Sequence, residues 1–429
     1  MLDYQHRARL HCSSIMKLKL FLSLFLISSV TLSANANTEP SIEQKAAEIH
    51  ARVLTLDSHL DTPIVMNRYD FFDIRNRHDV WGYSSQVDLP RMVEGGLDGG
   101  FFIVYLGQGP LTVEGRTNAK ERAREIFKTI HTMVDENPDV FELALTAEDA
   151  PRIKADGKHP IYIGIENGYT IGRDLDLLEE FYDLGGRYMT LAHVRNNDIC
   201  DSSTDPDGPI HGGLSDFGRL VVKEMNRLGM MIDISHISDD AARQAIEFSE
   251  APVVATHSSA KAIYDHPRNI PDDILLSLAE TGGVIQMNMF SGYLKDLNHH
   301  PERGNALREW RREYGNLNNL SPERREEAIE ARAKLERDFP ADLATLETVL
   351  DHIDYIVELI GIDHIGIGAD FDGGGGVVDC YDASEMGNVT LGLVKRGYSE
   401  EEIEKIWSGN LLRVLKANEE VASRLQAEN

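Results

Sequence analysis

The chain has 429 residues, 42% of them hydrophobic, and 71 acidic against 43 basic side chains leave a formal net charge of -28. That length and apolar content suffice for one large buried core, and the acidity excludes nucleic acid and anionic membranes as partners, because both would be repelled. It favours instead the uptake of cations by clustered carboxylates.

In chain order, the first feature is an address. Met16 opens MKLKLFLSLFLISSVTLSANAN, with Lys17 and Lys19, an apolar run over 20–32 and the small-residue signature Ala34-Asn35-Ala36. This reads as a secretory signal peptide, too short to span a bilayer as a stable helix. The residues before Met16 postpone the basic start that such signals need. Residues 1–36 are therefore expected to be a signal peptide with an upstream extension, and Met16 the natural start. Residues 37–429 are expected to form a single domain, exported to the periplasm with no stable membrane insertion after cleavage. No cysteine follows the apolar run, so no lipid anchor is expected. Ser41 and Gln44 form a capping box that starts a leading helix.

Eight short apolar runs follow: 56–61 (LDSHLD), 100–106 (GFFIVYL), 161–166 (IYIGIE), 188–193 (YMTLAH), 230–236 (MMIDISH), 252–257 (PVVATH), 283–288 (GVIQMN) and 364–370 (HIGIGAD). All but the second end in a residue able to bind a metal or carry a proton. Such runs suit parallel strands buried on both faces, and their polar endings suggest a ring of ligands at one rim. Between them, apolar residues recur at helical spacing over 174–185, 215–229, 238–249, 272–282 and 348–361; the last four open on Ser215, Ser238, Asp272 and Thr348, cap-forming residues, and three close on glycine. Alternating strands and helices of this kind predict an α/β chain folded as a (β/α)8 TIM barrel, with the site at the C-terminal ends of the strands. A doubly wound open sheet also alternates, but it would not bring ligands from five separate strands to one point.

A charged stretch at about 299–346, rich in Arg and Glu, interrupts the alternation and is expected to be a helical insertion. It reads either as a lid or subunit contact or, more simply, as a solvated helix with no part in chemistry. Beyond the leader only Cys200 and Cys380 remain, and two free thiols are the default.

His59 and Asp61 lie two apart on one strand and so face the same way. With Glu166, His236 and His257 they make five nitrogen and oxygen ligands, a set that suits zinc, with manganese or cobalt fitting the same geometry. Five are too many for one open catalytic ion. Two ions sharing Glu166 as a bridge fit better, holding between them a water ionised near neutral pH. Asp370 is then an acid/base candidate, or a sixth ligand.

The segments LDSHLDTP (56–63), IGIENG (163–168), TLAHVRNN (190–197), DISH (233–236), ATHSSA (255–260), RNIPDD (268–273), GIGADFDGG (366–374) and SGNLLRVL (408–415) together resemble the membrane dipeptidase, or renal dipeptidase, family, zinc peptidase family M19, over about 45–418. The resemblance implies a binuclear zinc barrel that hydrolyses dipeptides, tolerates a D-residue at the C-terminal position and forms homodimers. Carried over by position, His59 and Asp61 would hold one Zn2+, His236 and His257 the other, and Glu166 would bridge. His193 would bind substrate and steady the developing oxyanion, Arg268 would grip the substrate carboxylate, and Asp370 would shuttle the proton. From the residues alone, His193 also reads as a structural histidine and Arg268 as a surface ion-pair partner. The closing stretch EEVASRLQAEN is polar where the animal members carry a GPI signal, so membrane anchoring is not implied. The run Gly373 to Gly376 lacks the ending of a phosphate loop and reads as rim backbone whose small residues let Asp370 and Asp372 approach the site.

The expected function is thus an exported zinc dipeptidase working through a metal-bridged hydroxide. A related amidohydrolase acting on an N-acyl amino acid, a lactone or a biosynthetic peptide is the enzyme alternative. An inactive binding or maturation protein is the alternative from another class.

Overall fold

The computed structural model describes residues 40–83, 85–298 and 300–428; the signal peptide, its upstream extension and the Met16 start lie outside the described residues. The leading helix, Ile42–Arg52, begins at the expected capping box. Ser41 Oγ accepts from Gln44 N at 3.2 Å and Gln44 Oε1 from Ser41 N at 2.9 Å, satisfying two otherwise orphaned donors.

All eight expected strands form: β1 (Leu56–Leu60), β2 (Gly99–Tyr105), β4 (His159–Glu166), β5 (Gly186–Thr190), β6 (Met231–Asp233), β7 (Val254–Ser258), β8 (Val284–Met287) and β9 (Ile365–Ile367). They pair in parallel in the order β1-β2-β4-β5-β6-β7-β8-β9. A ninth, β3 (Phe141–Leu143), pairs with the start of β4; at three residues it is too short to carry a period. The result is a nearly closed eight-stranded barrel. At the seam β1 and β9 meet through single bonds instead of a regular ladder. Asp61 N donates to Phe371 O at 2.8 Å, Ser58 Oγ to Ile367 O at 3.2 Å, and Ala369 N to the Asp57 carboxylate at 3.0 Å.

Alternation along the strands sorts the core into two shells. Leu56, Phe101, Ile103, Tyr162, Tyr188, Met231, Val254 and Val284 cluster with Leu411, Val414 and Leu415 of the C-terminal helix Asn410–Ala427. Leu60, Phe102, Ile163, Met189, Ile232 and Ile285 pack with the surrounding helices. Each fully buried side chain contributes roughly 1.5–3 kcal/mol. Ser215 and Ser238 cap the helices Asp216–Leu228 and Asp239–Phe248 as expected. Two starts differ: Asp272–Glu280 has Pro271 at its cap position, and Leu346–Ile360 begins at Thr345, whose side chain accepts from Thr348 N.

The charged insertion forms two helices, Pro301–Tyr314 and Pro322–Asp338, and it is not simply solvated. Tyr314, Leu317 and Ala328 form a satellite core with Val65 and Tyr69, and the Arg325 guanidinium lies 3.5 Å over the Phe71 ring. Buried Glu336 accepts from Arg303 of the first helix and Arg332 of the second. Removing a buried carboxylate strands two guanidinium groups, at a cost of about 3–5 kcal/mol. Glu336→Ala should therefore abolish slow amide exchange over 301–338 while the barrel strands stay protected; unchanged exchange in both helices would contradict this account.

Candidate active site

The residues that converge at the C-terminal rim come from nearly every strand. His59 sits within β1, and Asp61 follows it at the start of the helix Thr62–Arg68. Glu166 ends β4 and His257 lies in β7. His193, His236 and Asp370 lie beyond the ends of β5, β6 and β9, so those expected strands overran. For two of the three the physical reason is backbone conformation. His236 has φ 68° and Asp370 φ 62°, in the left-handed region that no strand admits. Such residues cost about 1–3 kcal/mol each and persist where surrounding contacts hold them.

Glu166 is the hub. Its Oε1 lies 3.0 Å from His236 Nε2, 3.4 Å from His257 Nε2 and 3.7 Å from His193 Nε2, while Oε2 lies 3.8 Å from His59 Nε2. Asp61 Oδ2 is 3.5 Å from His59 Nε2. Three groups of metal-ligating atoms result: His59 with Glu166 and His257, Glu166 with His193 and His236, and His59 with Asp61 and Asp370, each within 4.8 Å. His193, read as substrate-binding, stands as near Glu166 as the expected ligands do. Asp370 keeps both its readings, since it adjoins His59 and Asp61.

The imidazoles are aimed by partners behind them. Tyr188 donates its hydroxyl proton to Ser58 O at 3.0 Å, so His59 Nδ1, 2.8 Å from that hydroxyl, is the donor and Nε2 faces the centre. Behind His257, Nδ1 lies 2.9 Å from Thr256 Oγ1, which donates to Asp233 at 2.6 Å. Asp233 also accepts from Thr190 Oγ1 and from the backbone of Ser235 and Thr256. Asp57 accepts from His59 N at 2.9 Å as well as from Ala369 N, so one carboxylate spans the seam beside both His59 and Asp370.

Burial and mutual charge divide the cluster. Burial, with His59 and Arg268 beside it, lowers His257 to about 3; burial, Arg268 and His193 hold His236 well below the ordinary range. Both imidazoles are thus neutral, as ligation requires. Burial alone would lower His59, but Asp61 and Glu166 raise it well above; burial would raise Glu166, but His193, His59 and the other imidazoles hold it well below. Burial pushes Asp370 up to about 8, helped by Asp61 and Glu166 and opposed by His59 and Arg268. The residues fit a metal centre: His59 Nε2 and Asp61 Oδ1 are buried atoms without a hydrogen-bond partner, set among neutral imidazoles and carboxylates.

Arg268 is 3% exposed and has no ion pair among the described residues, so it is not a surface ion-pair residue. It donates to His257 O at 3.0 Å, its guanidinium lies 5.1 Å from the Tyr293 ring centre, and its Nε has no partner. His193 is not a satisfied structural histidine either, because its buried Nδ1 lacks a partner. Tyr105 was not anticipated. The run GFFIVYL has no ionisable ending, yet Tyr105 packs edge-on to His193 at 5.0 Å, and burial with Glu166, Asp61 and Asp370 nearby raises its hydroxyl. Gly373 explains how the loop after β9 comes so close: a Cβ there would collide with Asp61 Oδ2 and Asp370 Oδ1. Cys200 and Cys380 are free and buried.

Comparison with known proteins gives a consistent result. The sequence profile described as membrane dipeptidase (peptidase family M19) matches residues 43–429. Dipeptidase tcpJ of Claviceps purpurea is 34% identical over 413 residues, covering 94% of this chain and 85% of that protein. The crystal structure of the probable dipeptidase PvdM from Pseudomonas aeruginosa aligns with TM-score 0.74 at 30% identity, over 89% of this chain and 99% of that one. A metallopeptidase from Rhodobacter sphaeroides, liganded with a phosphinate mimic of L-Ala-D-Ala, shares the fold at TM-score 0.67 and 24% identity, over 85% and 99%.

Displacing reacting groups by about 1 Å costs on the order of a hundredfold in rate. Gly373→Ala should lower turnover by about that factor with an unchanged melting profile, measured by steady-state kinetics beside thermal denaturation; wild-type turnover would show that the loop has room to spare.

Proposed function

The chain belongs to the membrane dipeptidase family, peptidase family M19, whose members are metal-dependent dipeptidases, and from that membership we propose an exported zinc enzyme that hydrolyses dipeptides and accepts a D-residue at the C-terminal position. The observation that carries the reading is the convergence of four imidazoles on the Glu166 carboxylate, with a buried, unpaired guanidinium beside them. His59 and Asp61 would hold one Zn2+ and His236 and His257 the other, with Glu166 shared between them. Bound there, the ions would supply a Lewis acid for the scissile carbonyl and lower the pKa of water toward neutrality.

The chain's own residues do the rest. Arg268 pairs with the substrate's terminal carboxylate, where a planar fork gives two parallel bonds and fixes the peptide's direction. His193 donates a ring N–H to the carbonyl oxygen as charge develops there. Asp370 takes a proton from water and delivers it to the leaving amine. A carboxyl pushed up to about 8 by burial can hold that proton near neutral pH. Export rests on Lys17, Lys19 and the apolar run over 20–32, with the periplasm as destination; among the described residues no helix is long and apolar enough to cross a membrane. The homodimer is carried over from the family.

A second reading shares the Arg268 observation, since an N-acyl amino acid also ends in a carboxylate. A panel of L,L- and L,D-dipeptides beside N-acyl amino acids, assayed on zinc-loaded protein with metal content counted, separates them. Dipeptide cleavage that a chelator abolishes is expected, with about two zinc ions per chain; a full metal complement with cleavage of acylated amino acids alone would favour the second. Asp370→Asn should keep its metal and lose about 10²–10⁴-fold in kcat, and unchanged kcat would remove Asp370 from the mechanism.

A further inference from the structure

Arg268 follows β7, sixth in the ring, and β2 is second, so in a ring of eight they face each other across the site. If Arg268 holds the C-terminal carboxylate and the scissile bond lies over Glu166, the N-terminal residue extends toward the end of β2. There stands Tyr105, against His193. Tyr105 also lines a cavity of about 220 Å³ between the helix Thr62–Arg68 and the helix Val113–Glu136, with Ile64, Leu106, Asn67, Arg68 and Arg122. Liquid water occupies about 30 Å³ per molecule, so the space takes a side chain of several heavy atoms.

Its chemistry is graded. Ile64, Leu106 and the Tyr105 ring supply apolar wall, and two arginines line the same space in a chain whose net charge is -28. Arg68 makes no ion pair among the described residues, and Arg122 has only the exposed Glu125. We propose that this cavity receives the side chain of the substrate's N-terminal residue, and that it selects a chain with an apolar stem and a carboxylate tip, as in an N-terminal glutamate. The proposal rests on the dipeptidase reading and names the substrate class within it. A lysine at the same position would meet both guanidinium groups, and like charges brought together are penalised.

The test is kcat/KM of the zinc-loaded full chain for L-Glu-L-Ala, L-Leu-L-Ala, L-Lys-L-Ala and the reversed L-Ala-L-Glu. Glu-Ala should exceed Lys-Ala by about tenfold, and Arg68→Glu should cut that ratio by about fivefold, the scale of a solvent-screened pair. Arg68 is exposed, so the variant is expected to fold, and Arg122→Glu provides an independent second variant. A Glu-to-Lys ratio that neither variant moves, or a preference that follows the C-terminal residue instead, overturns the proposal while leaving the dipeptidase reading intact. No cleavage of any of the four by the parent enzyme overturns the dipeptidase reading, and this one with it.

Discussion

Everything at the rim depends on one buried carboxylate. Glu166 is 3% exposed, and a carboxylate taken out of water is costly unless positive or proton-donating groups meet it. Here four imidazoles do, arriving from β1, β5, β6 and β7. A closed ring of parallel strands is the architecture that lets side chains so far apart in sequence end at one level around one point. An open sheet would spread the same residues along an edge. The same field from Asp61 and Glu166 that raises His59 would also favour a metal cation there.

Precision at the site is achieved by features that a regular barrel lacks. β1 and β9 do not form a regular ladder, and the Asp57 carboxylate bonds both walls at the point where the ladder fails. His236 and Asp370 hold left-handed conformations that let their side chains turn inward just after a strand stops. That strain is retained because dense hydrogen bonding surrounds it: Gly373, Gly374 and Gly375 all donate to Asp370 O.

The insertion belongs to the same mechanical system. Arg325 stacks on Phe71 at one end of the segment after the first βα unit. At the other end Gln86 is gripped by Asp372, which accepts from Gln86 N at 2.5 Å and donates its own N–H to Gln86 Oε1 at 2.8 Å. Thr62, next to Asp61, donates to the same Asp372 carboxylate at 2.9 Å. The charged helices thus touch this segment at Phe71, and the loop that carries Asp370 touches it at Gln86. Burial raises Asp372 to about 7, against the hydrogen bonds from Gln86 and Thr62.

What was legible in the sequence was local. Apolar runs of strand length, helical spacing between them, the Ser41, Ser215 and Ser238 caps and a ligand-type residue near every expected strand end but the second are set by neighbours within a few positions. They suffice to identify the alternation, the barrel and the candidate groups His59, Asp61, Glu166, His236, His257 and Asp370; the substrate-binding roles of His193 and Arg268 came from the resemblance of whole motifs to a family. What was not legible depends on partners far along the chain. Tyr188 aims a histidine 129 residues away, and Asp57 reaches across 312 residues to Ala369. Tyr105 sits in a run that looked purely apolar, and Arg268 is buried where its motif alone allowed a surface ion pair. The sequence by itself determined which chemistry the chain carries and on which strands, because period and composition are local properties. Only the tertiary structure decided how those groups are aimed, paired and buried, because that follows from register and barrel closure.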